Sequence, residues 1–156
     1  MSKLGIFGSR SLFDESVRLE INEYLNNNSN ITTIVTCQEP RGVSEVAQRV
    51  ARDRILILEV HFLNPNKGRG AFHCRAVEII KNSSQFLIIH DGESKGTAHE
   101  LELVKKSEKK YSYITLSKSM HYDVNTGYNI TDGWQKRSKY NDAFAAGVLE
   151  PEIWDN

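Results

Sequence analysis

The residues of this chain that are best placed to do chemistry lie in one stretch, His90 to Glu100, which reads HDGESKGTAHE. It follows an apolar run, Gln85 to Ile89, and it leads into an amphipathic run, Ala98 to Lys109. This order predicts a buried strand, a turn that contains glycines, and a helix. In an open α/β sheet such a turn lies at the carboxyl end of a strand, where ligands usually bind. The stretch is therefore the first candidate for a binding site.

Two features of this turn suit an anionic ligand such as phosphate. Gly92 and Gly96 permit positive φ and a close approach of the main chain to a ligand. Thr97 is placed to cap the new helix, whose first N–H groups point outward and favour a negative charge. An ordinary turn with a helix cap is the alternative. The residues that we predict to contact a ligand here are Asp91, Gly92, Ser94, Lys95, Gly96 and Thr97.

A second polar turn follows the first apolar run of the chain, Lys3 to Phe7. It consists of Gly8, Ser9 and Arg10, which can bind phosphate through main-chain N–H groups, a hydroxyl and a guanidinium fork. A plain turn with a surface arginine is the alternative. In a parallel sheet this turn would lie at the same edge as the turn after Ile89.

The pattern of the whole chain predicts the elements that position these turns. Apolar runs at 3–7, 31–36, 55–60, 85–89 and 111–116 indicate strands, and amphipathic runs at 14–26, 43–53, 71–81 and 98–109 indicate helices. Regular alternation predicts a Rossmann-like, doubly wound α/β domain: a mostly parallel sheet of about five strands with helices on both faces. We assign it residues 1–117. Residues 118–156 form a C-terminal extension that is expected to pack on the domain or on a partner subunit.

Composition restricts the function classes. Lys plus Arg and Asp plus Glu both number 20, so the formal charge is zero and a broad nucleic-acid or membrane surface is not expected. Cys37 and Cys74 form no disulfide framework, and the histidines match no compact ligand spacing, so neither a metal nor a cofactor is predicted. Without a leader or a long apolar segment, we expect a cytoplasmic protein.

Three segments together resemble the SLOG superfamily, particularly its small YspA-like branch. They are Ile6 to Arg10, Arg41 to Ala47, and Gly70 through Arg75 to Thr97, in the family's order across residues 3 to 116. The resemblance implies a Rossmann-like domain that binds nucleotides or nucleotide-sugar derivatives, and it adds Arg41 and Gly42 to the predicted ligand-binding residues. It also implies a homo-oligomer.

Within this superfamily the LOG enzymes are phosphoribohydrolases, which release a base from a nucleoside 5′-monophosphate. Their motif is a helical arginine followed, after the next strand, by Pro-Gly-Gly-x-Gly-Thr-x-x-Glu. Arg75 matches the arginine and Gly96 to Glu100 match the second half, whereas Asp91 to Lys95 replace Pro-Gly-Gly with one extra residue. The resemblance thus implies catalytic roles for Glu100 and Arg75.

Physical chemistry supports those two roles. A carboxylate such as that of Glu100 can stabilise the positive charge that develops on ribose when an N-glycosidic bond breaks. Arg75 lies on an otherwise apolar helix, so it needs a partner, and Glu100 or a ligand phosphate would serve. The structural alternatives are a surface glutamate and an ion pair of Arg75 with Glu78 or Asp91.

Two other functions remain open at this point. One is a non-catalytic sensor or sequestering sponge for an NAD-derived or cyclic signalling nucleotide, which the replaced Pro-Gly-Gly half favours. The other is single-stranded DNA binding, as in the DNA-processing members of the superfamily, against which the neutral charge argues.

Overall fold

The computed structural model describes residues 2–119, which form five strands and four α-helices in strict alternation. The strands are β1 (Ser2–Gly8), β2 (Ile31–Cys37), β3 (Ile57–His61), β4 (Gln85–His90) and β5 (Lys110–Thr115). The helices are α1 (Glu15–Asn26), α2 (Val43–Asp53), α3 (Ala71–Asn82) and α4 (Lys95–Ser107). The sheet is entirely parallel with the order β3-β2-β1-β4-β5, so the predicted fold class is confirmed.

Apolar side chains of the central strands divide between two cores, one on each face of the sheet. Leu4 and Ile6 of β1 belong to the core that α1 and α2 cover, whereas Phe7 belongs to the core that α3 and α4 cover. Alternation along a strand sends successive side chains to opposite faces, and both faces are buried here. Burial of each large apolar side chain contributes about 1.5–3 kcal/mol to the free energy of unfolding. The two cores therefore fix the strand ends relative to the helix ends.

The start of the third strand differs from the prediction. β3 begins at Ile57 rather than at residue 55, because Ile55 adopts φ +57° in the turn that ends α2. The Ile55 N–H donates to Arg52 O at 3.1 Å and the Leu56 N–H donates to Ala51 O at 2.9 Å. This is a Schellman ending, in which glycine is the usual residue at the left-handed position.

The polar segment 64–70 is not an irregular loop but contains a 3-10 helix, Pro65–Gly70. On α4, Ala98 is exposed, and the buried residues are Gly96, Thr97, Glu100 and Val104. The helices α1 and α2 bury apolar residues at helical spacing, as expected for amphipathic helices that cover a sheet.

The chain changes direction in the sheet between β1 and β4. β2 and β3 extend the sheet on one side of β1, and after α3 the chain crosses over to add β4 and β5 on the other side. The loops after β1 and β4 therefore meet at the switch point of the sheet, outside the carboxyl ends of the strands, where α/β proteins bind ligands. Residues 120–156, nearly all of the predicted extension, lie outside the described residues.

Candidate functional site

Ser9 joins the two loops at the switch point. It is fully buried, and its Oγ accepts a hydrogen bond from the main-chain N–H of Asp91 at 3.1 Å. The same hydroxyl lies 3.1 Å from Oγ1 of Thr97 on α4, and the Ser9 N–H donates to Ile89 O at 3.1 Å. The predicted turns after β1 and β4 are thus brought together. Their hydroxyls bond to one another and give the edge a fixed shape.

The β4–α4 turn is held by a carboxylate. Asp91 Oδ1 accepts from the N–H groups of Glu93 (2.8 Å) and Ser94 (2.7 Å), and Oδ2 accepts from the Ser11 hydroxyl at 2.6 Å. Burial alone would raise the pKa of Asp91, but these hydrogen bonds outweigh burial and lower the pKa below its ordinary value. Asp91 is therefore an ionised, structural member of the turn.

The helix cap at this turn was assigned wrongly from the sequence. α4 begins at Lys95, and Ser94 is its N-cap, because the Ser94 Oγ accepts from the Thr97 N–H at 3.3 Å. Thr97 lies inside the first turn, where its own hydroxyl faces Ser94 and Ser9. The glycine-containing turn lets the chain enter the helix three residues earlier than expected, and Gly92 there has φ +86°.

The β2–α2 loop packs tightly against the turn after β1. Gly42 has φ +107°, and a Cβ at this position would lie 2.4 Å from the Arg10 Cα. A Cβ on Gly8 would meet the Val43 side chain at 2.4 Å, and the Val43 N–H donates to Ser9 O at 3.3 Å. Gly8 and Gly42 therefore allow the amino end of α2 to approach the candidate site closely.

Arg75 is almost completely buried, with 3% of its surface exposed, and its partner is Glu39. Its Nη2 lies 3.1 Å from Glu39 Oε1, and its Nη1 donates to Gln38 O at 3.1 Å. This ion pair with Glu39 was not expected from the sequence, whereas the expected neighbour Glu100 also interacts with Arg75. Burial alone would lower the pKa of Arg75, but the neighbouring anionic groups, Glu39 and Glu100 among them, raise it above its ordinary value. Arg75 is a permanent cation.

Glu100 is also buried, with 6% of its surface exposed, one helical turn beyond Thr97. Its charge acts on Arg75 of the adjacent helix α3, so the two predicted catalytic side chains share one environment. Few glutamates are buried in this way unless they are paired, because removing a charge from water is costly. A surface role for Glu100 is excluded.

Cys37 completes the interior of this edge but is not reactive. Its Sγ lies 3.1 Å from the Ser44 hydroxyl, and burial raises the pKa of the thiol to about 12. The nucleophile of a cysteine enzyme is the thiolate, so Cys37 is protonated and inert at neutral pH.

The remaining predicted residues, Arg10, Arg41, Gly92 and Lys95, belong to the loops at this edge and to the start of α4. Arg10 is buried beside Gly42, and the Arg41 guanidinium lies 4.7 Å from the centre of the Phe13 ring. Gly92 and Lys95 are exposed. The carboxyl edge of the sheet thus presents arginines, a lysine and a helix amino end, all of which suit an anion.

Two features at this edge were missed in the sequence. Glu39 follows the second strand, and the need of a buried arginine for an acidic partner was the signal that could have found it. The second is a contact between His73 Nδ1 on α3 and His99 Nε2 on α4, which lie 3.1 Å apart. Within residues 2–119, no three His, Cys, Asp or Glu side chains are grouped so that they could hold a metal ion.

A groove of about 320 Å³ lies away from this edge, on the face of the sheet that α1 covers. Its walls include Glu23, Tyr24, Leu87 and Ile114. None of the predicted site residues lines it.

Comparisons of the chain with protein-family models, with curated proteins and with solved structures gave no match. None of the helices in the described part of the chain is both long and apolar enough to span a membrane.

Proposed function

We propose that this chain binds a nucleotide or nucleotide-sugar derivative at the carboxyl edge of its sheet, between the loops after β1 and β4. The observation that carries the proposal is the burial of Arg75 and Glu100 beside this switch point. Burying a charged side chain destabilises the folded protein, so such residues are rare in interiors. Where they occur together, they are typical of functional sites. The resemblance to SLOG proteins supplies the ligand class, and it also keeps a homo-oligomer as a prediction.

The phosphate end of the ligand is assigned to the two loops. Gly8, Ser9 and Arg10 contribute from the first loop, and Gly96 and Thr97 contribute from the first turn of α4. The hydroxyls of Ser9 and Thr97 bond to each other, and their N–H groups donate to Ile89 O and to Ser94 Oγ. The main attraction for phosphate therefore comes from the dipole at the amino end of α4 and from cationic side chains.

The carboxylate of Glu100 supplies the chemistry if the ligand is turned over. Water adds to C1′ of the ribose while the C1′–N bond breaks, and the electron pair leaves with the base nitrogen, which gains a proton. One proton of the water is thereby transferred and its hydroxyl stays on the ribose. A fixed carboxylate stabilises the oxocarbenium-like transition state of this hydrolysis.

One observation favours a second candidate, a non-catalytic sensor or sponge that retains its nucleotide intact. Arg75, which the LOG resemblance makes a substrate clamp, already donates to Glu39 and to the Gln38 carbonyl. An arginine held in this way is less available to a reacting phosphate ester. The same experiment separates the two candidates.

The test mixes the protein with AMP, other nucleoside monophosphates, NAD, ADP-ribose and cyclic ADP-ribose, followed by filtration that retains protein. Mass spectrometry then quantifies intact nucleotide and free base on both sides of the filter. Free base beyond one equivalent indicates hydrolysis, whereas intact nucleotide released on heating indicates a sponge. If none of these compounds is retained and no free base forms, nucleotide binding is refuted.

Glu100→Gln identifies the catalytic group. It preserves the shape of the side chain, so we expect binding to change by less than about threefold while turnover falls by at least 100-fold. Glu102→Gln is the matched control, since Glu102 lies on the same helix with 63% of its side chain exposed and should leave both properties unchanged. Full turnover by Glu100→Gln would remove Glu100 from the mechanism.

A further inference from the structure

Glu39 lies at the carboxyl edge of the sheet, close to the end of β2. It lies two residues beyond the end of β2, and β2 is the immediate neighbour of β1 in the sheet. Rossmann-like domains that bind dinucleotides place an acidic residue in this region of the sheet, where its carboxylate accepts hydrogen bonds from ribose hydroxyls. The sequence lacks the glycine fingerprint of those proteins, so only the position of the acid is comparable.

The spacing of the strands suits a ribose phosphate that extends from the switch point towards Glu39. Adjacent strands lie about 4.8 Å apart, so the ends of β2 and β4 are separated by roughly 10 Å with β1 between them. A phosphate at the β1 and β4 loops thus leaves its ribose within reach of the β2 end.

The amino end of α1, which holds pyrophosphate in ordinary dinucleotide-binding domains, is used differently here. The Asp14 carboxylate accepts from the Ser16 N–H at 3.1 Å, and the N–H groups of Phe13 and Asp14 donate to the Ser119 hydroxyl at 2.9 and 3.2 Å. A carboxylate at this helix end repels phosphate. This directs a phosphate to the α4 side of the switch point, with the sugar towards β2.

Glu39 is held rigidly enough for recognition. Arg75 fixes both the Glu39 carboxylate and the preceding Gln38 carbonyl, each at 3.1 Å. At the other end of the loop, Gly42 is in close contact with the main chain of Arg10. A carboxylate has two oxygens and about four acceptor sites, so it can accept hydrogen bonds from more than one donor at a time.

We propose that Glu39 recognises the ribose hydroxyls of the ligand and that Arg75 is the positioning residue that holds its carboxylate in place. The site then selects ribonucleotides over 2′-deoxyribonucleotides. This inference rests on the proposed function and specifies its substrate class. It also gives Arg75 a role that its burial and its partners explain.

The test measures dissociation constants for AMP, GMP, CMP and UMP and for their 2′-deoxy counterparts, using the full-length wild-type chain. A hydrogen bond from a ligand hydroxyl to a charged group corresponds to roughly 10- to 100-fold in affinity. We expect wild-type protein to prefer the ribose form by about that factor. Glu39→Gln should reduce the preference to within about threefold, mainly by weakening ribonucleotide binding.

Two further variants separate recognition from a purely structural effect. Arg75→Lys should also reduce the preference while affinity for the deoxy form stays within about threefold, because lysine lacks the fork that fixes Glu39 and Gln38 together. Glu39→Asp serves if Glu39→Gln fails to fold, and its shorter carboxylate should likewise lower the preference. Glu102→Gln should bind like wild-type protein.

The outcomes distinguish this inference from the function on which it rests. Absence of binding to every nucleotide overturns the proposed function and the inference with it. Binding of both sugar forms with equal affinity by wild-type protein, or an unchanged preference in Glu39→Gln, overturns the inference and leaves nucleotide binding intact.

Discussion

Replacing Arg75 by methionine tests how much the buried charge of this arginine contributes to the stability of the candidate site. Arg75 and Glu39 have side chains with only 3% and 10% of their surface exposed, and Arg75 also binds the Gln38 carbonyl. Methionine fills similar space but removes the guanidinium that pairs with Glu39 and that lies in the same buried environment as Glu100. Breaking a buried pair in this way costs about 3–5 kcal/mol of the free energy of unfolding.

Urea unfolding at pH 7, followed by circular dichroism, measures this loss. With a slope of about 2 kcal/mol per molar urea, the midpoint should fall by roughly 2 M. Small domains have a free energy of unfolding of about 5–15 kcal/mol, so the variant should remain folded without denaturant. The matched control is Arg49→Met, because Arg49 pairs with Glu45 at 2.6 Å while 66% of its side chain is exposed. Its expected loss is below about 1 kcal/mol.

A double-mutant cycle identifies the cause of the loss. In the background of Glu39→Gln, which removes one of the buried charges, Arg75→Met should cost at least about 2 kcal/mol less than in the wild-type chain. A loss below about 1 kcal/mol in Arg75→Met itself would show that water screens the pair. Equal losses in the two backgrounds would show that packing, rather than charge, accounts for the effect. Either result would refute the electrostatic reasoning.

The remaining predictions concern a strained turn and a titrating contact. Ile55→Gly should raise the free energy of unfolding by about 1 kcal/mol in urea titrations, because a β-branched residue with φ +57° is strained and this side chain is 90% exposed. Burial, with the charges of His73 and Lys106, lowers the pKa of His99 in the folded state. The contribution of His99 to the free energy of unfolding is therefore complete above its unfolded pKa of about 6.5, and it is lost as the pH falls through the pKa of the folded state. His99→Gln should reduce this loss.

Each of these two expectations has a clear contrary result. For the turn, an unchanged or lower stability of Ile55→Gly would mean that the isoleucine is not strained. For the histidine contact, thermal unfolding between pH 7.5 and 5 should separate the wild-type and His99→Gln curves progressively towards the acid side. Parallel curves would show that folding does not lower the pKa of His99.

Most of the fold could be predicted from the sequence because the pattern of apolar residues is local information. Five apolar runs alternating with amphipathic ones determine a parallel sheet covered on both faces, and α2 matches its predicted bounds, 43–53. Errors arose where local geometry overrode propensity. Ile55 is a strand former, but it lies in the turn that ends α2. Ser94 rather than Thr97 caps α4, because the Asp91 carboxylate accepts a hydrogen bond from the Ser94 N–H and so holds the turn just before the helix.

The sequence also predicted that the turns after β1 and β4 lie at one edge, since Ser9, Asp91 and Thr97 follow strands that a parallel sheet must align, and the structure brings these turns together. It left open which side chains are partners. Arg75 and Glu39 are 36 positions apart. Their pairing depends on the position of α3 relative to β2 along the strand direction. The packing of the whole apolar core determines this position, and no local sequence pattern encodes it. The residue types and the edge were thus determined by the sequence alone. The tertiary structure decided that Arg75 pairs with Glu39. It thereby also decided which carboxylate we propose to bind the ribose of the ligand.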